Sequence, residues 1–101
     1  MTRINEYCEA NLATVTLRRL AHFMGYTTVY SAKIIKNAVG KSFSEYIQDL
    51  RCAKAARLLV DTELPVNNII NVVGYENGSF FRKSFRKRYG LNPLEYRKKN
   101  L

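Results

Sequence analysis

Residues 65–97 read PVNNIINVVGYENGSFFRKSFRKRYGLNPLEYR, and the rest of the chain is organised around this stretch. Val66, Ile69, Ile70 and Val73 recur at i, i+3, i+4 and i+7, the spacing of one apolar face on a short helix. Gly74 ends that helix, because glycine accepts the left-handed conformation that a helix C-terminus needs. Tyr75 and Glu76 carry the chain round, and Asn77 is a good cap for the helix that follows. On that second helix Phe81, Phe85 and Tyr89 share one side, while Ser79, Arg82, Lys83 and Arg86 fall on the opposite side. An apolar helix, a glycine turn and a helix with one dry and one cationic face are the layout of a helix-turn-helix, whose second helix enters the DNA major groove.

Upstream, the chain says the same thing again. Leu17, Leu20, Ala21, Met24, Gly25 and Tyr26 answer to Val66, Ile69, Ile70, Val73, Gly74 and Tyr75, each at an offset of 49 residues. Beyond the turn the offset becomes 50, so that Ile35 answers to Phe85 and Gly40 to Gly90. Two copies of one helix-turn-helix are therefore expected, the second with one extra residue in its turn.

The remaining segments complete an all-α pattern of seven helices. Residues 3–12 read as a first helix, with Ile4, Tyr7, Cys8 and Leu12 facing inward. Thr14 or Thr16 can cap the helix Leu17 to Met24, and Thr27 the helix from Thr28 to Val39. Ser42 with Glu45, and Asn92 with Glu95 behind Pro93, have capping-box spacing and open two further helices. The first of these, Phe43 to Val60, is apolar over more than one stripe through Tyr46, Ile47, Leu50, Ala53, Leu58 and Leu59. A helix linking two subdomains needs such a broad apolar surface. The expected organisation is a single domain with a first subdomain over 1–41, a linking helix over 42–61 and a second subdomain over 62–101.

Composition bounds the function. The 101 residues carry a net charge of +9, with 47% apolar and 25% charged residues, the profile of an ordinary globular chain with an affinity for polyanions. Residues 1–50 hold 6 basic and 4 acidic side chains, and residues 51–101 hold 11 and 4. Five of those cations stand between Arg82 and Arg88. Cys8 and Cys52 alone make neither a disulfide scaffold nor a zinc site, and fit a reducing interior. No signal peptide and no long apolar run points to a membrane, so a cytoplasmic location, at the nucleoid when bound to DNA, is expected. No HExxH, CxxC, P-loop or GxGxxG occurs, and the one histidine, His22, sits on an outward helix face. Catalysis, a metal and a cofactor are therefore not expected.

The run GY, a serine–aromatic–phenylalanine step, RKSFRKRYG and NPLEYR resembles the signature of the arabinose-regulator (AraC/XylS) transcription factors over essentially the whole chain. The resemblance implies seven homeodomain-like helices holding two helix-turn-helix units, and sequence-specific binding of double-stranded DNA by a bacterial regulator, most often an activator. An activator of this family also contacts RNA polymerase. An effector or dimerisation domain, common in the family, is expected to be missing from this chain, which reads as an excised domain or a short member regulated by abundance. Some DNA-repair methyltransferases carry the same domain, but no methyl-accepting cysteine motif is present here.

The linking helix would hold the two cationic helices apart by a distance comparable to one turn of DNA, placing both in successive major grooves. Positions matching the family assign base contacts to Val29, Ala32 and Lys33 in the first unit and to Gly78, Ser79, Arg82 and Lys83 in the second. Val29 and Ala32 can touch a thymine methyl, and Arg82 can pair bidentately with guanine. Thr27, Lys36, Asn77, Arg86 and Lys87, with Arg88 beyond them, are assigned to phosphates. Arg51 is read as structural, pairing with a carboxylate inside the fold, and Tyr26, Tyr75 and Tyr96 as core or half-core.

Two positions depart from the pattern. Ser31 stands where leucine is usual, forfeiting apolar contact of order 1–3 kcal/mol unless Tyr30 turns inward to replace it. Ile70 stands where a small alanine is usual at the helix crossing. The alternative class is a basic module binding RNA or a protein. It would need exposed aromatics, and Phe80, Phe81, Phe85 and Tyr89 are placed on the apolar side.

Overall fold

The computed structural model describes all residues 1–101, as seven α-helices with no strand. They are α1 (Thr2–Ala10), α2 (Leu17–Met24), α3 (Thr28–Val39), α4 (Phe43–Asp61), α5 (Val66–Val73), α6 (Gly78–Tyr89) and α7 (Pro93–Lys99). The chain divides into two compact units, Met1–Gln48 and Asp49–Leu101, so the unbroken helix α4 contributes to both. No helix is long and apolar enough to cross a membrane.

The internal repeat holds in three dimensions. Helices α2 and α5 are both 8 residues long, and α3 and α6 both 12. Each turn opens on a left-handed glycine, Gly25 at φ 74° and Gly74 at φ 100°, a conformation in which a Cβ would be strained. The next residue then donates its backbone N–H across the end of the helix, Tyr26 to the Ala21 carbonyl and Tyr75 to the Ile70 carbonyl, each at 3.0 Å. The side-chain oxygens of Thr27 and Asn77 accept from the N–H of Tyr30 and Phe80, both at 3.1 Å, and so start the recognition helices. Thr16 caps α2, Ser42 accepts from the Glu45 N–H at α4, and Asn92 with Glu95 closes a reciprocal capping box at α7.

Within the first unit, Ile4, Cys8, Leu12, Val15, Leu20, Ala21, Ile35, Tyr46 and Ile47 form the buried core. Helix α1 is shorter than the sequence pattern predicts. α1 stops at Ala10, where the Tyr7 carbonyl accepts both the backbone N–H of Asn11 at 3.1 Å and its side-chain amide at 2.9 Å. Leu12 is buried all the same, outside the helix, while Tyr7 is half-buried and stacked on Phe23 at 4.3 Å. Tyr46 donates to the Asn5 side chain and ties α4 to α1.

Ser31 resolves differently from the expectation. It is fully buried, and its hydroxyl donates to the Thr27 carbonyl at 2.8 Å, so its one polar group is satisfied without help. Tyr30 does not turn inward; it remains exposed, edge-on to Tyr26 at 5.0 Å.

In the second unit, Phe81 and Phe85 are fully buried against Cys52, Ala55, Ala56, Leu59, Ile69, Ile70, Val73 and Tyr75. Tyr89 stacks on Phe85 at 4.6 Å, and Tyr96 meets both edge-on, half-buried as expected. The larger Ile70 at the helix crossing is matched by a smaller neighbour. Its Cδ1 lies 3.6 Å from where a Cβ on Gly78 would stand, and the corresponding residues of the first unit are Ala21 and Thr28. The Arg51 guanidinium lies over the Tyr75 ring at 5.8 Å.

Arg97 closes this unit. Its guanidinium donates to the carbonyls of Leu59 at 2.8 Å, Thr62 at 3.3 Å and Leu64 at 2.7 Å, holding the loop between α4 and α5 against α7. Replacing it (Arg97→Ala) leaves three carbonyls to water and should lower the unfolding free energy by about 2 kcal/mol. Urea denaturation followed by circular dichroism checks this; a loss below about 0.5 kcal/mol would show the clamp to be ornamental.

Candidate nucleic-acid interface

Helix α6 is held in rotation by what it buries. Phe81, Ser84 and Phe85 face the core, and Arg88 reaches the Asp49 carboxylate at 2.7 Å. The same arginine donates to the Ser84 hydroxyl at 2.9 Å and carbonyl at 3.1 Å. Tyr75 donates to Ser84 at 3.2 Å and lies 3.6 Å from the Cys52 sulfur, so a polar chain runs beneath α6 from α4 to the turn. Arg88 is therefore a structural residue and not a phosphate ligand. The sequence marks it only as one cation among five; its ion pair follows from its position two turns after Phe81, on the inward side.

The other four cations point out. Ser79, Arg82, Lys83, Arg86 and Lys87 are all exposed, and Gly78 is half-buried at the first helical position. A Cβ on Gly78 would stand 2.8 Å from the Arg82 Nη1, so the glycine gives the guanidinium room to lie over the helix N-terminus. Behind it, Arg82 shares a small pocket with Val66, Asn92, Pro93 and Leu94.

In the first unit the corresponding surface is plainer. Val29 is 67% exposed, Lys33 and Lys36 are exposed, and Ala32 is half-buried. The Lys36 ammonium also caps its own helix by donating to the Gly40 carbonyl at 3.2 Å. The structure thus brings Val29, Ala32, Lys33 and Lys36 to one outward strip behind the Thr27 cap, as it brings Ser79, Arg82, Lys83, Arg86 and Lys87 to another behind Asn77.

Two aromatics stand elsewhere than expected. Tyr26 is exposed and not half-core, and Phe80 is 50% exposed and not on the apolar side. Tyr30 and Phe80 occupy equivalent places, third in their recognition helices, where the cap bond fixes the backbone. The repeat offset of 50 pairs them, and a step of about 100° from buried Phe81 turns Phe80 outward. Each rests edge-on against a turn tyrosine, Tyr30 on Tyr26 and Phe80 on Tyr75 at 5.8 Å.

With this geometry in view, residues 20–99 match the family described as "Helix-turn-helix domain". The HTH-type transcriptional regulator YtdP of Bacillus subtilis (strain 168) is 35% identical over 83 residues, which is 82% of this chain and 11% of that protein. The C-terminal domain of AraT, a response regulator from Geobacillus stearothermophilus, has the same fold with a TM-score of 0.88 at 34% identity, over 97% of this chain and 83% of that one. A Chromobacterium violaceum transcriptional regulator, described by its AraC-type DNA-binding domain, shares the fold with a TM-score of 0.91 over 98% of this chain and 89% of that one, at 24% identity. The chain therefore belongs to the AraC-type helix-turn-helix family, the DNA-binding domains of transcription regulators. It spans between 11% and 45% of the first curated relatives it matches.

The titratable groups of the interior are arranged to stay neutral. Cys8 and Cys52 are both fully buried. Burial, with the Glu9 charge adding to it, pushes the Cys8 thiol from its ordinary 9.0 to about 11. Burial also raises Cys52, against the opposing hydrogen bond with Tyr75. Tyr46 and Tyr75 are pushed from 10.0 to about 12, burial again being the largest cause. Each group ionises earlier in the unfolded chain than in the folded one. Their contribution to stability is thus fully present below pH 9 and is lost as pH rises toward 11 and 12. Urea midpoints should be flat from neutrality to pH 9 and then fall, and neither thiol should react with a thiol reagent before unfolding. A thiol that titrates in the native protein would contradict this.

Proposed function

We propose that the two recognition helices read duplex DNA with Val29, Ala32 and Lys33 in one major groove and with Gly78, Ser79, Arg82 and Lys83 in another. The observation that carries the reading is the same on both helices: the inward side is sealed by fully buried anchors, Ile35 on α3 and Phe81 with Phe85 on α6, and the opposite side is a strip of exposed side chains suited to bases and phosphates. Arg82 presents a bidentate fork to guanine, Lys33 and Lys83 reach base-edge acceptors, and Val29 with Ala32 lies against thymine methyls. Gly78 lets the backbone come close. The capped N-termini at Thr27 and Asn77 offer backbone N–H groups to phosphates, joined by Lys36, Arg86 and Lys87.

The domain acts within a transcription regulator, and activation, with a contact to RNA polymerase, is the mode we assign to it by family likeness. It works in the cytoplasm at the nucleoid. Both cysteines are buried, and no group of three or more His, Cys, Asp or Glu side chains is placed to hold a metal ion. The exposed Tyr30 and Phe80 favour an RNA-binding module, since unpaired bases stack on such rings.

Fluorescence anisotropy across a salt series separates these readings. Arg82→Ala should cost about 1–3 kcal/mol on a preferred duplex and much less on a scrambled one. Arg86→Ala and Lys87→Ala should weaken binding to both alike and each reduce the salt slope by about 1. Tighter binding of single-stranded RNA than of any duplex, lost in Phe80→Ala, would favour the RNA module instead.

A further inference from the structure

The outward face of α2 carries chemistry that DNA binding leaves unused. Phe23 is 46% exposed and stacks on Tyr7 of α1 at 4.3 Å, and the Arg3 guanidinium lies over the Phe23 ring at 5.4 Å. Arg18, Arg19, His22, Phe23 and Tyr7 together line an open groove of about 640 Å³. An apolar floor of two stacked rings, with guanidinium groups on its margins, has the composition of a protein-binding hot spot.

The internal repeat provides the control. Helix α5 holds the same place in the second helix-turn-helix, and at the offset of 49 the counterparts of Arg18, Arg19, His22 and Phe23 are Asn67, Asn68, Asn71 and Val72. All four are exposed, and none carries a charge or a ring. If gripping phosphates required cations on this face, both copies would need them. The cations and aromatics are confined to the first copy, so they serve a purpose that the second helix-turn-helix does not share. A duplex backbone also offers nothing apolar to cover the exposed part of Phe23.

We propose that this groove is a docking site for an acidic segment of a partner protein, seating an apolar side chain on Phe23 and Tyr7 between carboxylates held by Arg18 and Arg19. Charge complementarity selects the occupant: Arg18 and Arg19 line the groove, Arg3 lies over the Phe23 ring, and an apolar side chain is what the exposed part of Phe23 lacks. The site is separate from the base-reading residues, so it stands or falls independently of them.

The probe is a short synthetic helical peptide with leucines on one face and glutamates on the others, titrated into the whole isotope-labelled chain by NMR. Amide shifts should centre on residues 18–23 and leave 67–72 unmoved. Phe23→Ala, and separately Arg18→Glu with Arg19→Glu, should each weaken the peptide about tenfold, while duplex DNA affinity changes less than about twofold. Two variants are used because Phe23 packs on Tyr7; a melting midpoint equal to the parent's qualifies each. Shifts spread over α6 would show mere attraction to cations and overturn the proposal. So would unchanged peptide affinity in both variants. A parallel fall in DNA affinity with a smaller salt slope in the charge-reversed variant would overturn it too, marking the face as a phosphate grip.

Discussion

Everything in both units follows from one backbone hydrogen bond, the one that crosses each glycine turn. The N–H of Tyr26 reaches back to Ala21, and that of Tyr75 to Ile70, at the same 3.0 Å. The bond can form only because the preceding residue is left-handed, which Gly25 and Gly74 permit and a side chain resists. It satisfies a carbonyl that would otherwise be left open at the helix end, and it fixes the direction in which the recognition helix departs. Between this bond and the cap the second unit holds one extra residue, Glu76, where Tyr26 is followed at once by Thr27. The insertion changes neither helix length.

What holds each recognition helix against its unit differs. Helix α6 rests on a stack of aromatic rings and on the Arg88–Asp49 pair, which lies over the Ser84–Tyr75–Cys52 chain. A partly buried ion pair adds little net stability, yet removing one partner is expensive, so such a pair fixes one rotation of α6 more than it strengthens the fold. Helix α3 has no ion pair of this kind beneath it. Ile35 is its buried anchor, and Ser31 fits by turning its hydroxyl onto the Thr27 carbonyl. The two outward strips are correspondingly unequal, one largely apolar with two lysines and the other rich in arginine and lysine. Unequal strips suit a site whose two halves differ in sequence.

Much of this was legible in the chain because repetition and caps are local signals. The offsets of 49 and 50 give both pairs of helices and their lengths, and Thr16, Thr27, Asn77 and Asn92 each cap the helix that the sequence assigns to them. Periodicity also identified the outward residues Ser79, Arg82 and Lys83, and the family resemblance Val29 and Lys33. It failed where the outcome depends on a distant partner. Arg88 looks like one more exposed cation until Asp49, 39 positions earlier, is brought beneath it. Phe80 and Tyr26 look like core by composition, but buried Phe81 and the turn geometry leave them at the surface. Ser31 looked like a defect because pattern alone does not show that its hydroxyl has an acceptor one turn away.

In the proposed function both helix-turn-helix units read bases. The most direct measurement is selection of bound duplexes from a random DNA pool, with the parent chain and with Lys33→Ala and Arg82→Ala in parallel. A motif of two separate blocks, one relaxed by each substitution, is expected. A motif of one block that only Arg82→Ala relaxes, or no motif at all despite steep salt dependence, would contradict it and leave the first unit, or both, holding phosphates alone.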